Sequence, residues 1–357
     1  MAKKNIVLLS MLAFVPISVI AQWIHLNPLV IFICSGLAII PLAALIANST
    51  EAIATVIGPT LGGLLNATFG NATEMIVAVV ALKAGLVDVV KASLTGSIIA
   101  NLLLALGLAF FLGGLRYSEQ QFPPAVARLN ASSLVLAVIV LLTPAAIQLT
   151  SQGLEISTLN NFSYAASILL LTFYFLMQVF SMRTHKHLYL LEEAEHGNNE
   201  SPTEKVNVGL KIGVLLACTV VLVFVSEILV DSLEKAIVTL GLTSLFTGVI
   251  LVPIFGGIVE FITCVTFAVK NKMELAVAVA IGSSLQIALF VAPILVLVGW
   301  IIHQPMNLSF NLFEVVAVTM AVVSLNSISN DGRSNWLEGV LLLITYAVLG
   351  TAFYFHP

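Results

Sequence analysis

Two glutamates occupy equivalent places in the two halves of this 357-residue sequence, each inside an otherwise apolar stretch. At a constant offset of 186, residues 69–74 (Phe-Gly-Asn-Ala-Thr-Glu) align with residues 255–260 (Phe-Gly-Gly-Ile-Val-Glu), so that Glu74 matches Glu260. A charged side chain near the centre of a bilayer costs about 2.5–3.5 kcal/mol on insertion scales, and such residues are therefore functional candidates. A neutral glutamate that only bonds two helices together is the alternative interpretation.

Neutral polar side chains lie near each glutamate, and the pair Gly96-Ser97 returns as Gly282-Ser283 at the same offset. Ca²⁺ takes about six to eight oxygen ligands, of which two carboxylates supply at most about four. No His or Cys accompanies the glutamates, which disfavours Zn²⁺ and Cu⁺. The sequence therefore predicts a site for a hard cation. Its candidate ligands are Glu74, Glu260, Asn71, Ser97, Asn101, Ser283, Ser284 and Gln286.

The same two carboxylates suggest how transport could be coupled to protons. When the metal leaves a site of low dielectric, two facing carboxylates repel each other and resist ionisation, so protons replace the cation. Exchange of metal for protons is obligatory if the site can change the side to which it opens only while metal or protons occupy it. Glu51 ends the second predicted span, and Glu227 lies near the end of the seventh. We expect them to relay cations or protons between the central site and opposite bulk phases; a role in capping or ion pairing is the alternative.

Composition identifies the class of protein that must hold this site. Hydrophobic residues make up 59% and charged residues 9%, with a mean hydropathy of +1.09, which indicates a polytopic membrane protein. A net charge of −4 argues against a nucleic-acid partner. Cys34, Cys218 and Cys264 lie in separate apolar stretches and form neither a metal-binding spacing nor a disulfide framework.

Eleven apolar runs are long enough to span a bilayer, which takes about 20 residues each. The predicted spans are 6–24, 28–50, 60–82, 87–113, 122–150, 161–182, 209–230, 241–269, 274–301, 311–329 and 336–355. The first run follows Lys3 and Lys4 and also has the features of a cleavable signal; a retained helix is the preferred interpretation.

Basic residues separate cleanly when all eleven runs are taken as spans. One side of the membrane receives 11 of the 14 Lys and Arg residues and the other receives only Lys83, Lys91 and Lys235. Because basic loops stay in the cytoplasm, the count predicts a cytoplasmic N-terminus. A polar insert at 183–208, with five glutamates and three histidines, falls on the cytoplasmic side. It is interpreted as a solvated acidic connector, with a cation-sensing loop as the alternative; the residues concerned are Glu192, Glu193, Glu195, Glu200, Glu204, His185, His187 and His196.

The offset divides the chain into an N-terminal helix (1–27), a first repeat (28–182), the connector (183–208) and a second repeat (209–357). Each repeat would contain five spans, and an odd number inserts the second copy upside down. Inverted repeats are typical of secondary transporters, whose substrate site lies at the repeat interface near the bilayer centre. We therefore expect an all-α polytopic membrane protein of about 11 transmembrane helices.

Two segments carry a family resemblance. Residues 62–74 (Gly-Gly-Leu-Leu-Asn-Ala-Thr-Phe-Gly-Asn-Ala-Thr-Glu) and 96–103 (Gly-Ser-Ile-Ile-Ala-Asn-Leu-Leu) closely resemble the first repeat of the calcium/proton exchangers, in the calcium/cation antiporter superfamily. Thr50-Glu51, the acidic connector, 282–286 and 291–293 extend the resemblance over nearly the whole chain. It implies an antiporter that exports Ca²⁺ from the cytoplasm in exchange for H⁺, with the repeat glutamates binding the cation.

One departure from the family stands in the second repeat. The family commonly has Gly-Asn-Ala-Ala-Glu-His there, whereas residues 256–261 read Gly-Gly-Ile-Val-Glu-Phe. The missing amide and imidazole bear on affinity, metal preference and pH dependence. A sodium-coupled calcium exchanger of the same superfamily and a cation channel remain alternatives. A membrane enzyme is disfavoured because the spans hold no Ser/His dyad, HExxH or phosphate motif.

The predicted substrates are Ca²⁺ and H⁺, with no cofactor, the bilayer as surroundings and homo-oligomerisation left open. The chain has no long N-terminal extension, as in the compact prokaryotic members of the family. A prokaryotic plasma or inner membrane is therefore expected, with a vacuolar membrane as the alternative.

Overall fold

The computed structural model describes residues 8–150, 155–185 and 207–356. Its helices are α1 (Leu8–Trp23), α2 (Pro28–Ile57), α3 (Pro59–Phe69), α4 (Ala72–Lys83), α5 (Val87–Arg116), α6 (Pro124–Thr150), α7 (Ile156–Thr184), α8 (Val208–Leu240), α9 (Ser244–Gly256), α10 (Ile258–Ala268), α11 (Met273–Ile301), α12 (Leu312–Ile328) and α13 (Trp336–Phe355). A two-stranded antiparallel sheet joins β1 (Gln120–Gln121) to β2 (Arg333–Ser334). The all-α membrane fold that the sequence predicts is confirmed.

Each of the eleven predicted spans coincides with one helix or with a pair of consecutive helices. Within the described residues, seven helices are long and apolar enough to cross a membrane: α2, α5, α6, α7, α8, α11 and α13. The pair α9 and α10 passes the same test as one span bent by 60°. α1 and α12 are apolar but shorter. Eleven crossings therefore stay a prediction.

Two long helices, α2 and α8, end later than the sequence indicated. α2 continues to Ile57 instead of ending near 50, and α8 continues to Leu240 instead of ending near 230. Glu51 and Asp231, which directly follow the predicted ends, lie on exposed helix faces and do not interrupt the backbone. The actual ends are glycines at positive φ, Gly58 at 88° and Gly241 at 64°, a conformation that stops a helix and that glycine adopts most easily.

The predicted third and eighth spans are each interrupted in the middle. α3 gives way to α4 at Gly70 and Asn71, and α9 gives way to α10 at Gly257. Discontinuous helices expose backbone groups at membrane depth, which is tolerated where they face a cavity or are buried in protein. Glycine stands at each break, Gly70 at the first and Gly257 at the second.

Helices from the two sequence halves pack closely around these breaks. α2 lies along α8, and α5 contacts the π-helical turn Thr247–Leu251 inside α9. A Cβ atom on Gly96 of α5 would lie 2.6 Å from the Cα of Val249, and one on Gly248 would contact the Cβ of Ala92. The glycines therefore let the two backbones approach to a distance that side chains would prevent.

Loops from distant parts of the sequence meet at the two ends of the bundle. At one end β1 pairs with β2, Arg333 forms an ion pair with Glu119 at 3.1 Å, and Gln120 donates to the carbonyl of Ala268 at 2.9 Å. At the other end Lys91 donates to Asn307 Oδ1 at 2.7 Å. The loops after α5, α10 and α12 thus share one end, in the arrangement that the basic-residue count predicts.

Candidate cation site

Glu74 is the third residue of α4 and follows the break directly. A Cβ atom built on Gly256, at the end of α9, would lie 3.4 Å from Glu74 Cγ and 3.8 Å from its Oε1. The Glu74 side chain thus lies directly beside the backbone of Gly256. The carboxyl group of the first half therefore reaches the helix break of the second half.

Glu260 is the third residue of α10 and stands in the equivalent place after the second break. Its Oε2 atom is buried and has no hydrogen-bond partner within the described parts of the chain. Gly256, beside which Glu74 lies, precedes Glu260 by four residues. A buried carboxylate oxygen without a partner is costly, and a bound cation or a proton would remove that cost.

Four of the neutral candidates are joined by hydrogen bonds across the two halves. Ser283 Oγ donates to Asn71 Oδ1 at 2.7 Å, and Asn71 Nδ2 donates to Gln286 Oε1. Asn101 Nδ2 donates to Ser283 Oγ at 2.9 Å. These four side chains lie at the α4 break or in the adjoining turns of α5 and α11. We call this set of hydrogen bonds the amide network; it links the first-half break to the second-half helix α11.

Ser97 and Ser284 have different surroundings. Ser97, together with Glu74, lines a cavity between α2, α4, α5, α8, α9 and α11. Ser284 is fully buried and donates to the carbonyl of Ala280 in its own helix at 2.9 Å. The structure thus brings Glu74 and Ser97 to the cavity and turns the Ser284 hydroxyl toward its own backbone.

The cavity extends from Glu74 toward one end of the bundle. Its polar wall includes Ser93 and Ser97, one turn apart on α5, and its apolar wall includes Leu229 and Phe255. Ser93 lies on the side of Ser97 where α5 begins, the end of the bundle at which Lys91 lies. Ser93 was not a sequence candidate, although its spacing of four from Ser97 on one helix face was a usable signal.

Glu51 and Glu227 do not reach this cavity. Both are exposed, Glu51 two turns before the end of α2 and Glu227 in the middle portion of α8. The interpretation that Glu227 lies near the end of its span is wrong, because α8 continues to Leu240. Asp231 and Glu234 lie on the same exposed face, and Asp231 accepts from Gln22 of α1 at 3.4 Å.

A further buried acid, Glu314, was missed by the sequence analysis. Glu314 is 3% exposed; it accepts from the Asn311 backbone N–H at 2.9 Å and from Thr95 Oγ1 at 3.1 Å. The sequence signal was Asn311 followed three residues later by Glu, a capping-box pattern that α12 indeed uses. Thr95 lies on α5, so this acid braces the helix that carries Ser97.

Most of the polar insert lies outside the described residues, including His187, His196 and the five glutamates at 192–204. His185 is described and exposed. In the described ranges, no three or more His, Cys, Asp or Glu side chains form a group that could hold a metal. The three cysteines, all within those ranges, are free thiols. Carboxylate binding of a cation would therefore rest on the glutamate pair together with neutral oxygens.

Comparison with known proteins gives a consistent result. The family model described as sodium/calcium exchanger protein matches residues 27–183 and 210–355. A Ca²⁺/H⁺ antiporter of Aphanothece halophytica is 54% identical over 100% of this chain and 98% of its own length. The solved structure of native YfkE matches with a TM-score of 0.83 at 38% identity, over 98% of this chain and 100% of that one.

A solved structure of the sodium-calcium exchanger NCX_Mj matches more distantly. Its TM-score is 0.51 at 16% identity, over 88% of this chain and 97% of its own. At that identity the likeness concerns the fold alone. The chain belongs to the sodium/calcium exchanger protein family, and within it to the calcium/proton antiporters that its motifs resemble.

Proposed function

We propose that this protein is a secondary active antiporter that exports Ca²⁺ from the cytoplasm in exchange for H⁺ by alternating access. The observation that carries the proposal is the position of Glu74 against Gly256, four residues before Glu260, so that one carboxyl group follows each helix break. The 54% identical relative is named a Ca²⁺/H⁺ antiporter, which supports the same activity here.

The chemistry follows from what the two carboxyl groups require. Occupied by Ca²⁺, the pair is neutralised and its oxygens are coordinated. Without a cation, each group needs a proton, because the described surroundings offer no donor to Glu260 Oε2. An empty, doubly charged site is the state that costs most, so the transporter changes conformation with either metal or protons bound. That restriction couples the two fluxes.

Neutral oxygens complete the coordination shell in this proposal. Ser97 is placed at the cavity wall beside Glu74 and is the best situated of them. Asn71, Asn101, Ser283 and Gln286 contribute through the amide network, either as ligands after rearrangement or by orienting one another. Ser284 would have to leave its bond to Ala280 to take part. Water supplies the remainder of the six to eight oxygens that Ca²⁺ prefers.

Orientation is proposed from charge. Eleven of 14 basic residues fall on the side that holds the N-terminus, which makes that side cytoplasmic. The cavity beside Glu74 then extends toward the outer face, where Lys91 lies. The proposed location is a prokaryotic plasma or inner membrane, in keeping with the bacterial relative. Glu51, two turns before the end of α2, is proposed to guide ions at the cytoplasmic face; Glu227 has no such position, because it lies in the middle portion of α8.

The test is Ca²⁺ uptake into everted membrane vesicles under an imposed gradient. A proton gradient, acidic inside, should drive uptake, whereas a sodium gradient should not. Uptake driven only by sodium would establish the sodium-coupled alternative, and electrical current without gradient coupling would establish a channel.

The glutamate pair is tested in the same vesicles. Glu74→Gln and Glu260→Gln each keep the side-chain shape and remove the charge, and each should abolish exchange. The matched control is Glu234→Gln, which changes an exposed glutamate on α8 away from the cavity. Exchange at the wild-type rate in either site variant, at equal expression, would refute the site.

A further inference from the structure

The two helix breaks differ in the side chain that precedes the helix. At the offset of 186, Asn71 corresponds to Gly257 and Met75 corresponds to Phe261. Asn71 is 4% exposed and takes part in two hydrogen bonds of the amide network. Gly257 occupies the same position before α10, at φ −89° and ψ 8°, and offers no side chain. The first break therefore has a neutral oxygen that the second one lacks.

Phe261 fills the space that a side chain at 257 would need. A Cβ atom built on Gly257 would lie 3.3 Å from Phe261 Cε1 and Cζ and 3.1 Å from the Pro253 carbonyl oxygen. Phe261 is only 5% exposed, so its ring is held by surrounding protein. Because buried rings move little without cost, glycine at 257 and phenylalanine at 261 fit one another as a pair.

Position 257 offers no side-chain partner to two polar groups, Ser97 of the first half and Glu260 of the second. Ser283 donates to Asn71, but Ser97, its counterpart at the offset of 186, finds no side chain at 257 to accept from it. Glu260 Oε2 is buried without a hydrogen-bond partner among the described residues. Both groups lie beside the proposed cation position.

We propose that Gly257 and Phe261 act as one specificity-determining unit: the ring of Phe261 excludes a neutral side-chain ligand at position 257 and so limits the oxygen shell around Glu260. The inference rests on the proposed cation site and deepens it. Ca²⁺ prefers a full shell of oxygens, whereas a cation bound with fewer protein ligands keeps more water. The unit therefore weakens Ca²⁺ binding and eases release.

The experiment copies the first break into the second. The variants are Gly257→Asn, Phe261→Met and the double change, which reproduces the Asn and Met of the first repeat. Purified protein is assayed by equilibrium binding of radioactive Ca²⁺ at fixed pH, and vesicles are assayed for exchange. Gly213→Asn with Phe224→Met is the matched control, since Gly213 has open space around it and Phe224 is 60% exposed on α8.

Gly257→Asn alone should weaken Ca²⁺ binding because the amide meets the ring. Phe261→Met alone should change the dissociation constant by less than about threefold, and the double variant should bind Ca²⁺ about tenfold more tightly than Gly257→Asn and more tightly than wild type. If the asparagine variants do not fold, Gly257→Ser is made alone and together with Phe261→Met. Its smaller side chain should change Ca²⁺ affinity in the same directions.

The effects of the two substitutions on the Ca²⁺ dissociation constant could instead multiply independently, so that the double variant binds no more tightly than the two single variants predict. That result would overturn the inference. Different results would contradict the proposed function itself: wild-type protein that binds no Ca²⁺, or Glu260→Gln protein that binds Ca²⁺ as wild type does. A coupled double variant together with silent control substitutions supports the unit.

Discussion

Gly96 and Gly282 provide a controlled test of how closely the halves are packed, because they correspond at the offset of 186 and have different surroundings. A Cβ atom on Gly96 would lie 2.6 Å from Val249 Cα, against about 3.4 Å for ordinary contact, and would also meet the Val249 carbonyl oxygen. A Cβ atom on Gly282 would meet nothing within 4 Å. The same substitution, Gly→Ala, should therefore have opposite consequences at the two positions.

Gly96→Ala forces α5 and α9 apart by roughly 1 Å, and no flexible side chain can move aside to absorb the change. Overpacking of this kind costs about 1–3 kcal/mol, and contact with backbone places the cost at the upper end. For a chain of 357 residues, about 3 kcal/mol corresponds to a fall of roughly 4 °C in the melting temperature. Transport should fall too, since α5 and α9 both line the cavity.

Gly282→Ala should leave the melting temperature unchanged or raise it slightly, because alanine favours a helix over glycine by about 0.5–1 kcal/mol. The assay is thermal unfolding of purified protein in detergent, followed by Ca²⁺ exchange in vesicles. Equal shifts for the two variants, or an unaffected Gly96→Ala protein, would refute the close approach of α5 and α9.

Three further outcomes are expected. A reporter inserted near Gly197 should be cytoplasmic and one after Pro357 should lie on the opposite face, as reporter labelling in intact cells will determine; both on one face would contradict the charge-based topology. Glu51→Gln should chiefly weaken apparent Ca²⁺ affinity on the cytoplasmic side, with central binding retained, and an equal defect on both faces in sided transport assays would argue against an access role for Glu51. Lys91→Met removes hydrogen bonds to the Asn307 side chain and the Ser309 carbonyl, so it should lower the free energy of unfolding by about 2 kcal/mol with little change in Ca²⁺ KM; an unchanged melting temperature would show that this brace adds no stability.

The sequence was most informative where a residue is costly to place in a membrane and is also repeated in both halves. Glu74 and Glu260 could be found because carboxyl groups are rare in apolar spans and because one offset relates them. Gly70 and Gly256, which correspond at the same offset, lie at the two helix breaks. The ends of α2 and α8 were misjudged because an acid on an exposed helix face resembles a helix terminus in a linear reading.

Contacts between remote residues could not be predicted. Asn71 and Gln286 are 215 positions apart and Lys91 and Asn307 are 216 apart, and neither pair shares a periodic pattern. The ring of Phe261 over Gly257 is local in sequence, but its orientation depends on how α9 meets α10. Such contacts depend on tertiary packing, which no window of neighbouring residues contains.

The amide network is not repeated in the second half. Asn101 corresponds to Ile287 and Gln286 corresponds to Ala100, so both of these amides lack polar counterparts. In an exchanger built from two identical inverted repeats, exchanging the roles of the repeats would convert the inward-open form into the outward-open form. The two forms would then be equal in energy. Here the two halves do not carry the same network, so no symmetry requires the two forms to be equal in energy. A difference in energy between the two unloaded forms would make the apparent affinities at the two faces of the membrane unequal.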